Sequence, residues 1–204
     1  MIGLLLGSIA FGFFRHSRGQ GPRFKSVSVL RGFGALALTA IGSVGLLQRA
    51  PGLQIPVRVE NDDGASWSFR ARCPLDFTGI GEAESAVSGL QRVTRHPSFY
   101  SIGALCAGSA LATPYIAECA FYCGAATFIL LGTHHQDYRF RNGIGGPGVS
   151  KQNELEVMTS NFPFLALLDG RQSWKLLTDE LKWGNILASL CISGILHARR
   201  LRRP

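Results

Sequence analysis

The chain has 204 residues, of which 46% are hydrophobic and 17% charged, and it carries a formal net charge of +8. Soluble domains contain about 25% charged residues, so this composition excludes a disordered chain, a coiled coil and most soluble nucleic-acid binders. The five cysteines are an odd number and four of them lie in apolar runs, which argues against a secreted domain held by disulfides.

The apolar runs predict a polytopic, all-α transmembrane helical bundle that forms a single domain over residues 1–204. A helix needs about 20 apolar residues to cross a bilayer, and the longest run is divided at Pro114 because proline breaks a helix. The alternative is a soluble bundle with buried helices, but the runs are rich in small residues, which weaken helices in water and let them approach closely in lipid. Five spans are predicted, near residues 2–14, 32–48, 98–113, 115–133 and 183–198.

The basic residues are distributed as five spans would require, because the connections would then alternate between two sides. One side would carry residues 15–31, the Pro114 turn and the C-terminal tail, and it would have no acidic residue. On the other side, basic and acidic residues would be equal in number. This asymmetry is typical of the positive-inside rule, so the arginine-rich side should face stroma, matrix or cytosol, and the lipid bilayer rather than nucleic acid is the expected partner. The nine basic residues of that side are Arg15, Arg18, Arg23, Lys25, Arg31, Arg199, Arg200, Arg202 and Arg203.

The longest surface connection, 49–97, contains two segments in which polar and apolar residues alternate. These are VRVE at 57–60 and SWSFRAR at 66–72, separated by a turn signal at 61–64. This pattern predicts a short hairpin at the membrane surface.

The third predicted span begins at Arg95-His96-Pro97. Proline suits the first helical turn, so His96 should lie at the helix N-cap. Two interpretations stay open: a basic site for a lipid headgroup or another anion, or a helix start held at headgroup level by its arginines. Asp137 and Arg139, at the end of the next helix, lie on the same predicted side and should pair with Arg95 or its neighbours. Asp169 is the second expected partner of Arg95.

Residues 159–172 form the most distinctive segment. Thr159 and Ser160 can cap a helix, Pro163 suits its first turn, and only a short apolar run follows before Asp169. The run is too short to span a bilayer, so it is predicted to be a re-entrant or interfacial helix. The segment closes with Arg171 and Gln172.

Three further sets of residues bear on chemistry. His134 and His135 point about 100° apart on a helix, so they form no bidentate metal face. His16 and Cys106, on different helices, are the candidate ligands for haem iron. Glu118 lies in an apolar run, where a carboxylate is costly, but its position near Pro114 would let it reach the interface.

Four pieces of the sequence together resemble the NnrU family of membrane proteins, which includes the 15-cis-zeta-carotene isomerase. They are FRHS at 14–17, VTRHP at 93–97, DYR at 137–139 and TSNFPFLALLDGRQ at 159–172. The resemblance implies a polytopic α-helical fold. For the isomerase branch it also implies a b-type haem, held by residues on separate helices, that assists cis-to-trans change in a carotenoid.

The chain departs from the isomerase pattern at its haem ligands. His16 matches a ligand histidine and Cys106 a motif cysteine, but Ser109 stands where the isomerase has a histidine. Phe128 and Ile129 stand where it has a histidine pair. The connection 49–92 is also shorter, as though one span were lost.

These departures favour a non-catalytic accessory subunit of a photosynthetic or respiratory membrane complex, with other membrane subunits as partners. The expected location is an organelle, with the plastid thylakoid favoured over the mitochondrial inner membrane. A lipid or pigment is the expected ligand, and no catalytic residue is assigned. The alternative is a haem-dependent isomerase that uses His16 and Cys106. A lipid methyltransferase, suggested only by Arg95-His96-Pro97, is the weakest reading.

Overall fold

The computed structural model describes residue 19 and residues 21–24, 29–53, 57–62, 66–71, 75–76, 87–142 and 155–201. The predicted span at 2–14 and the candidate ligand His16 lie outside these ranges.

Four long helices form the body of the described structure. Helix α1 contains Val29–Leu47, α2 contains Pro97–Ala112, α3 contains Ile116–Arg141 and α6 contains Trp183–Leu201. They correspond to the last four predicted spans. Between them lie a 3₁₀ turn at Gly89–Arg92 and two short helices, α4 at Leu165–Leu168 and α5 at Trp174–Glu180.

Two of the described helices are long and apolar enough to cross a membrane, α1 within Leu30–Leu47 and α3 within Ile116–Arg139. A buried core helix can also be apolar, but only 6% of the α3 stretch is buried. Helix α2 has 16 residues, fewer than a span needs. Helix α6 is long enough, but Asn185 and its terminal basic residues make it less apolar. The count of five spans therefore stays a prediction beyond these two helices.

The long helices pack in the order α6, α1, α2, α3. Helices α2 and α3 form an antiparallel pair around Thr113-Pro114, where Thr113 ends α2 in an extended conformation. The seam between α1 and α2 is closed by glycines. A Cβ atom on Gly108 would lie 2.6 Å from the hydroxyl oxygen of Thr39, and one on Gly42 would lie 2.5 Å from the carbonyl oxygen of Ser101.

The connection after α1 contains the predicted hairpin. Strand β2, Val57–Asp62, pairs antiparallel with β3, Ser66–Ala71, with Val57 opposite Ala71. A shorter pair, β1 at Gly52–Leu53 and β4 at Leu75–Asp76, encloses it.

The two ends of the bundle differ in the residues that gather there. At one end, the backbone N–H of Phe24 donates to the carbonyl of Pro114 at 2.9 Å, and Ile116 donates to Pro22 at 3.1 Å. We call this the arginine end, because Arg31 also donates to the final carbonyls of α2 there. Helix α6 begins beside the last residue of α1, so its C-terminal arginines return to the same end. Arg31 and the Pro114 turn thus lie at the same end of the bundle as the last turn of α6, and the side of a membrane that this end faces stays a prediction.

Glu118 also belongs to the arginine end. Its carboxylate accepts hydrogen bonds from the Gly19 backbone N–H at 2.8 Å and from the Thr113 hydroxyl at 2.6 Å. The Glu118 carboxylate is thus hydrogen-bonded within the protein, close to the Pro114 turn that connects α2 and α3.

Candidate functional site

The motif residues meet at the opposite end of the bundle, which we call the motif end. His96 Nε2 lies 2.7 Å from Asp137 Oδ1, and Arg95 Nη1 lies 3.3 Å from Asp137 Oδ2. All three side chains are only 5–6% exposed. A buried carboxylate thus binds two basic side chains at once, which is the arrangement that buried charges need to be stable.

The local sequence explains how these side chains meet. Pro97 occupies the first turn of α2 and makes His96 the N-cap residue, so Arg95 and His96 lie where α2 begins. Asp137 lies one turn before the end of α3. Because α2 and α3 run antiparallel, the start of one lies beside the end of the other. The predicted pairing of Asp137 with Arg95 is therefore confirmed.

The segment that begins at Thr159 is fastened to residues 93–95 through the backbone. The Arg95 N–H donates to the Ser160 carbonyl at 2.8 Å, and the Phe164 N–H donates to the Val93 carbonyl at 2.8 Å. The Thr94 hydroxyl donates to the Asn161 carbonyl at 2.7 Å. We call residues 159–164 the clasp. Two motifs about 65 residues apart in sequence are thus joined. Thr159 and Ser160 are buried there and do not cap α4, whose N-cap residue is Phe164.

A second ion pair ties the 3₁₀ turn to α5. Arg92 donates through Nε to Glu180 Oε2 at 2.9 Å and through Nη1 to Gln172 Oε1 at 2.7 Å. The hydrogen bond from Arg92 lowers the pKa of Glu180, and the Gly89 backbone N–H lowers it further. The same hydrogen bond raises the pKa of Arg92. Gln172 in turn donates to the carbonyl of Met158 at 2.9 Å.

Arg171 holds the C-terminal end of the predicted segment. It donates to Asp169 Oδ2 at 2.7 Å and to the Thr159 carbonyl at 2.9 Å. The hydrogen bond from Arg171 lowers the pKa of Asp169. Asp169 was the second expected partner of Arg95, and the structure assigns it to Arg171 instead because the two lie in one tight turn.

The ion pairs bear on the two interpretations of Arg95 and His96. Arg95 is bound to Asp137 and lies 3.6 Å from Glu156, while Arg92 is bound to Glu180. Their charge is neutralised within the protein, so the arrangement favours a held helix start over an anion site.

Several residues of this end could not be found from sequence. Glu156 and Glu180 were not singled out, and Glu180 lies 88 residues from the arginine that it binds. No local spacing relates such partners. His134, His135 and Arg139 are exposed on α3. In the ranges that the structure describes, no group of three or more His, Cys, Asp or Glu side chains is placed to hold a metal ion.

The haem hypothesis depends on residues that are only partly described. Cys106 is half-buried in α2, and Phe128 faces outward from α3 with 78% of its surface exposed. His96, at the start of the same helix, is bound to Asp137. Of the two candidate haem ligands, Cys106 thus lies in the described part of the chain and His16 lies outside it.

Comparison with known proteins gives no relative: the chain matches no protein-family model, no curated protein and no solved structure at a significant level. The resemblance to the NnrU family thus rests on the four sequence motifs and stays a prediction.

Proposed function

We propose that this protein is a non-catalytic, NnrU-like integral membrane subunit of an organellar photosynthetic or respiratory complex. The observation that supports this most directly is the inverted distribution of polarity in the bundle. Its fully buried side chains include Asn185, Thr133, Ser189 and Ser193, whereas large apolar side chains such as Leu30 and Phe128 point outward.

This distribution is stable only if something apolar surrounds the helices. Burial of one Leu or Phe side chain is worth about 1.5–3 kcal/mol, so exposed rows on α1, α3 and α6 would be costly in water. In a bilayer, small and polar residues suit helix contacts because they allow close approach and hydrogen bonds between helices. Lipid and partner helices are therefore the proposed surroundings. The outward-facing residues of the three helices include Leu30, Phe33, Ile41, Leu131, Leu187 and Ile195.

The motif end supports a structural rather than a catalytic role. Arg95 and His96 are bound to Asp137, and these contacts join α2 to α3, while backbone hydrogen bonds join residues 93–95 to the clasp. Ser109 and Phe128 stand where the isomerase branch of the resembled family has histidines. Both features suit a scaffold that keeps the family's helix arrangement without its chemistry.

The proposal is tested by extraction and co-purification from organelle membranes. The tagged full-length chain should resist alkaline carbonate and should co-purify in mild detergent with a defined set of membrane subunits. Release by carbonate would contradict the membrane assignment. Purification as a single component, with no other subunit, would contradict the accessory role.

The second candidate is a haem-dependent isomerase, favoured by the half-buried thiol of Cys106 in an apolar helix. Absorption spectra of the purified protein test it. The isomerase proposal would replace the first one if a Soret band at about one haem per chain is present, is lost in His16→Ala and is kept in the matched variant His197→Ala. We expect no such band and equal assembly of both variants.

A further inference from the structure

We propose that the outer side of the clasp and of α4 and α5 is a membrane-surface platform that lies in the interfacial layer of the bilayer, at the level where α1 and α3 leave the hydrocarbon. This inference rests on the proposed membrane location. Of the two predictions for residues 159–172, the inference takes the interfacial segment rather than the re-entrant one. It also extends the interfacial segment through α5. The platform consists of Phe162, Phe164, Leu165, Leu168, Trp174 and Leu176, all of them exposed.

The platform is two-sided. Ala166, Leu167 and Leu177 are buried against the rest of the protein, whereas Leu168 keeps 74% of its surface exposed. Helix α4 has 4 residues and α5 has 7. At about 1.5 Å per residue neither can reach far into a hydrocarbon layer about 30 Å thick. Short elements with one apolar side suit a position along the membrane surface.

Two aromatic rings are held on the outer side by contacts with the clasp. Phe164 has φ of 66°, a left-handed conformation that is unfavourable for a non-glycine residue. Its N–H is bound to Val93 at 2.8 Å, and its ring stacks on Trp174 with 6.2 Å between centroids. The clasp thus keeps a strained residue whose ring, together with Trp174, stays half-exposed. Tryptophan is enriched at membrane–water interfaces, because its ring is apolar and its N–H is polar.

The surroundings place the platform at the level of the membrane surface. Trp183 is exposed at the start of α6, and the neighbouring Lys182 N–H donates to Gln48, just after the end of α1. The α3 stretch long enough to span ends at Arg139, close to Asp137 under the clasp. The platform therefore flanks the ends of both candidate spans, where a bilayer surface would lie.

Charge identifies the kind of lipid contact. The three arginines beneath the platform are bound to acidic side chains: Arg92 to Glu180, Arg95 to Asp137 and Arg171 to Asp169. The two exposed charged residues of α5, Lys175 and Asp179, have opposite signs. Attachment should therefore come from apolar and aromatic contact and should not require anionic headgroups. This distinguishes the platform from the arginine end, where excess positive charge is expected to attract anionic lipid.

Fluorescence quenching by brominated lipids tests this placement. The full-length chain is reconstituted in phosphatidylcholine vesicles as Trp67→Phe/Trp183→Phe, which leaves Trp174 as its one remaining tryptophan. Bromine near the lipid headgroup should quench the emission of Trp174 more strongly than bromine near the ends of the acyl chains. Neither added salt nor added phosphatidylglycerol should change the result. The matched variant Trp67→Phe/Trp174→Phe, which reports Trp183, should show the same depth.

Each other result has a defined meaning. Stronger quenching of Trp174 by deep bromine would show a re-entrant segment and overturn the inference. Quenching of Trp183 but not of Trp174 would show that the platform lies outside the bilayer, which overturns the inference and leaves the membrane proposal intact. If neither tryptophan is quenched and the protein does not float with vesicles, the proposed membrane location itself fails.

Discussion

At the scale of single residues, Asp137 has the largest structural role, because its two carboxylate oxygens bind Arg95 and His96 in a buried position. Buried charges are costly unless they are paired, and the loss of one partner leaves the other without compensation. The stability of the motif end should therefore respond strongly to this side chain and weakly to exposed ion pairs.

We expect Asp137→Asn to lower the free energy of unfolding by about 3–5 kcal/mol, because it leaves Arg95 buried beside a neutral amide. Thermal unfolding in detergent, followed by circular dichroism, measures the change. Asp169→Asn is the matched control, since the Asp169–Arg171 pair is partly exposed and solvent screens it. Equal effects of the two substitutions would contradict the buried role of Asp137.

The Arg92–Glu180 pair predicts a dependence of stability on pH. Because the folded protein lowers the pKa of Glu180 below its ordinary value of 4.5, the carboxylate stabilises the fold above that pH. This contribution should be lost as the pH falls below about 4.5, through the lowered pKa. Melting temperatures between neutral and acid pH should show a smaller acid loss in Glu180→Gln than in the exposed neighbour variant Asp179→Asn. The same acid loss in both variants would argue against the pair.

At the scale of elements, the fit between α1 and α2 depends on missing side chains rather than on large ones. Gly108 lets α2 approach the backbone of Thr39 so closely that a Cβ would lie 2.9 Å from its nitrogen. Close contact of this kind is how helices associate in lipid, where apolar surface alone gives no preference for protein over lipid.

Gly108→Ala should therefore destabilise the protein by about 1–3 kcal/mol, because the two helices must separate to admit the methyl group. Gly124→Ala is the control, since open space surrounds the corresponding position on α3. There alanine should be neutral or stabilising by up to about 1 kcal/mol through helix propensity. Unfolding in detergent compares the two variants, and a neutral Gly108→Ala would mean that the seam is looser than described.

At the scale of the whole molecule, the bundle separates its two ends by charge. Arg23, Arg31 and Arg199 lie at the arginine end, whereas the three arginines of the motif end that were described above are bound to acidic side chains. If the helices cross a membrane, these ends must lie in different compartments.

Site-directed labelling tests this orientation. In a cysteine-free background, Lys175→Cys marks the motif end and Arg199→Cys marks the arginine end, both at exposed positions. An impermeant maleimide added to sealed organelle membranes should label the two variants from opposite sides, with position 199 on the stromal or matrix side. Labelling of both from one side would contradict the predicted topology.

Much of the fold follows from local sequence. The apolar runs and the break at Pro114 predicted the helices at 32–48, 98–113, 115–133 and 183–198. Helices α1, α2 and α6 lie close to those bounds, whereas α3 continues past 133 to Arg141. The alternation at 57–60 and 66–72 predicted the strand pair. These features depend on neighbours within a few residues, so periodicity and turn residues suffice to predict them.

Local sequence was enough to predict the apolar helices, the turn at Pro114, the helix start at Pro97 and the uneven distribution of arginines. Three features became visible only in the folded chain: Glu180 binds Arg92, Asp169 binds Arg171 rather than Arg95, and Phe164 is held in a left-handed conformation against Trp174. The two sets of features differ in the sequence distance over which the interactions act. Helix and turn preferences act between neighbouring residues, whereas an ion pair or a strained backbone is stable only after distant segments have packed together.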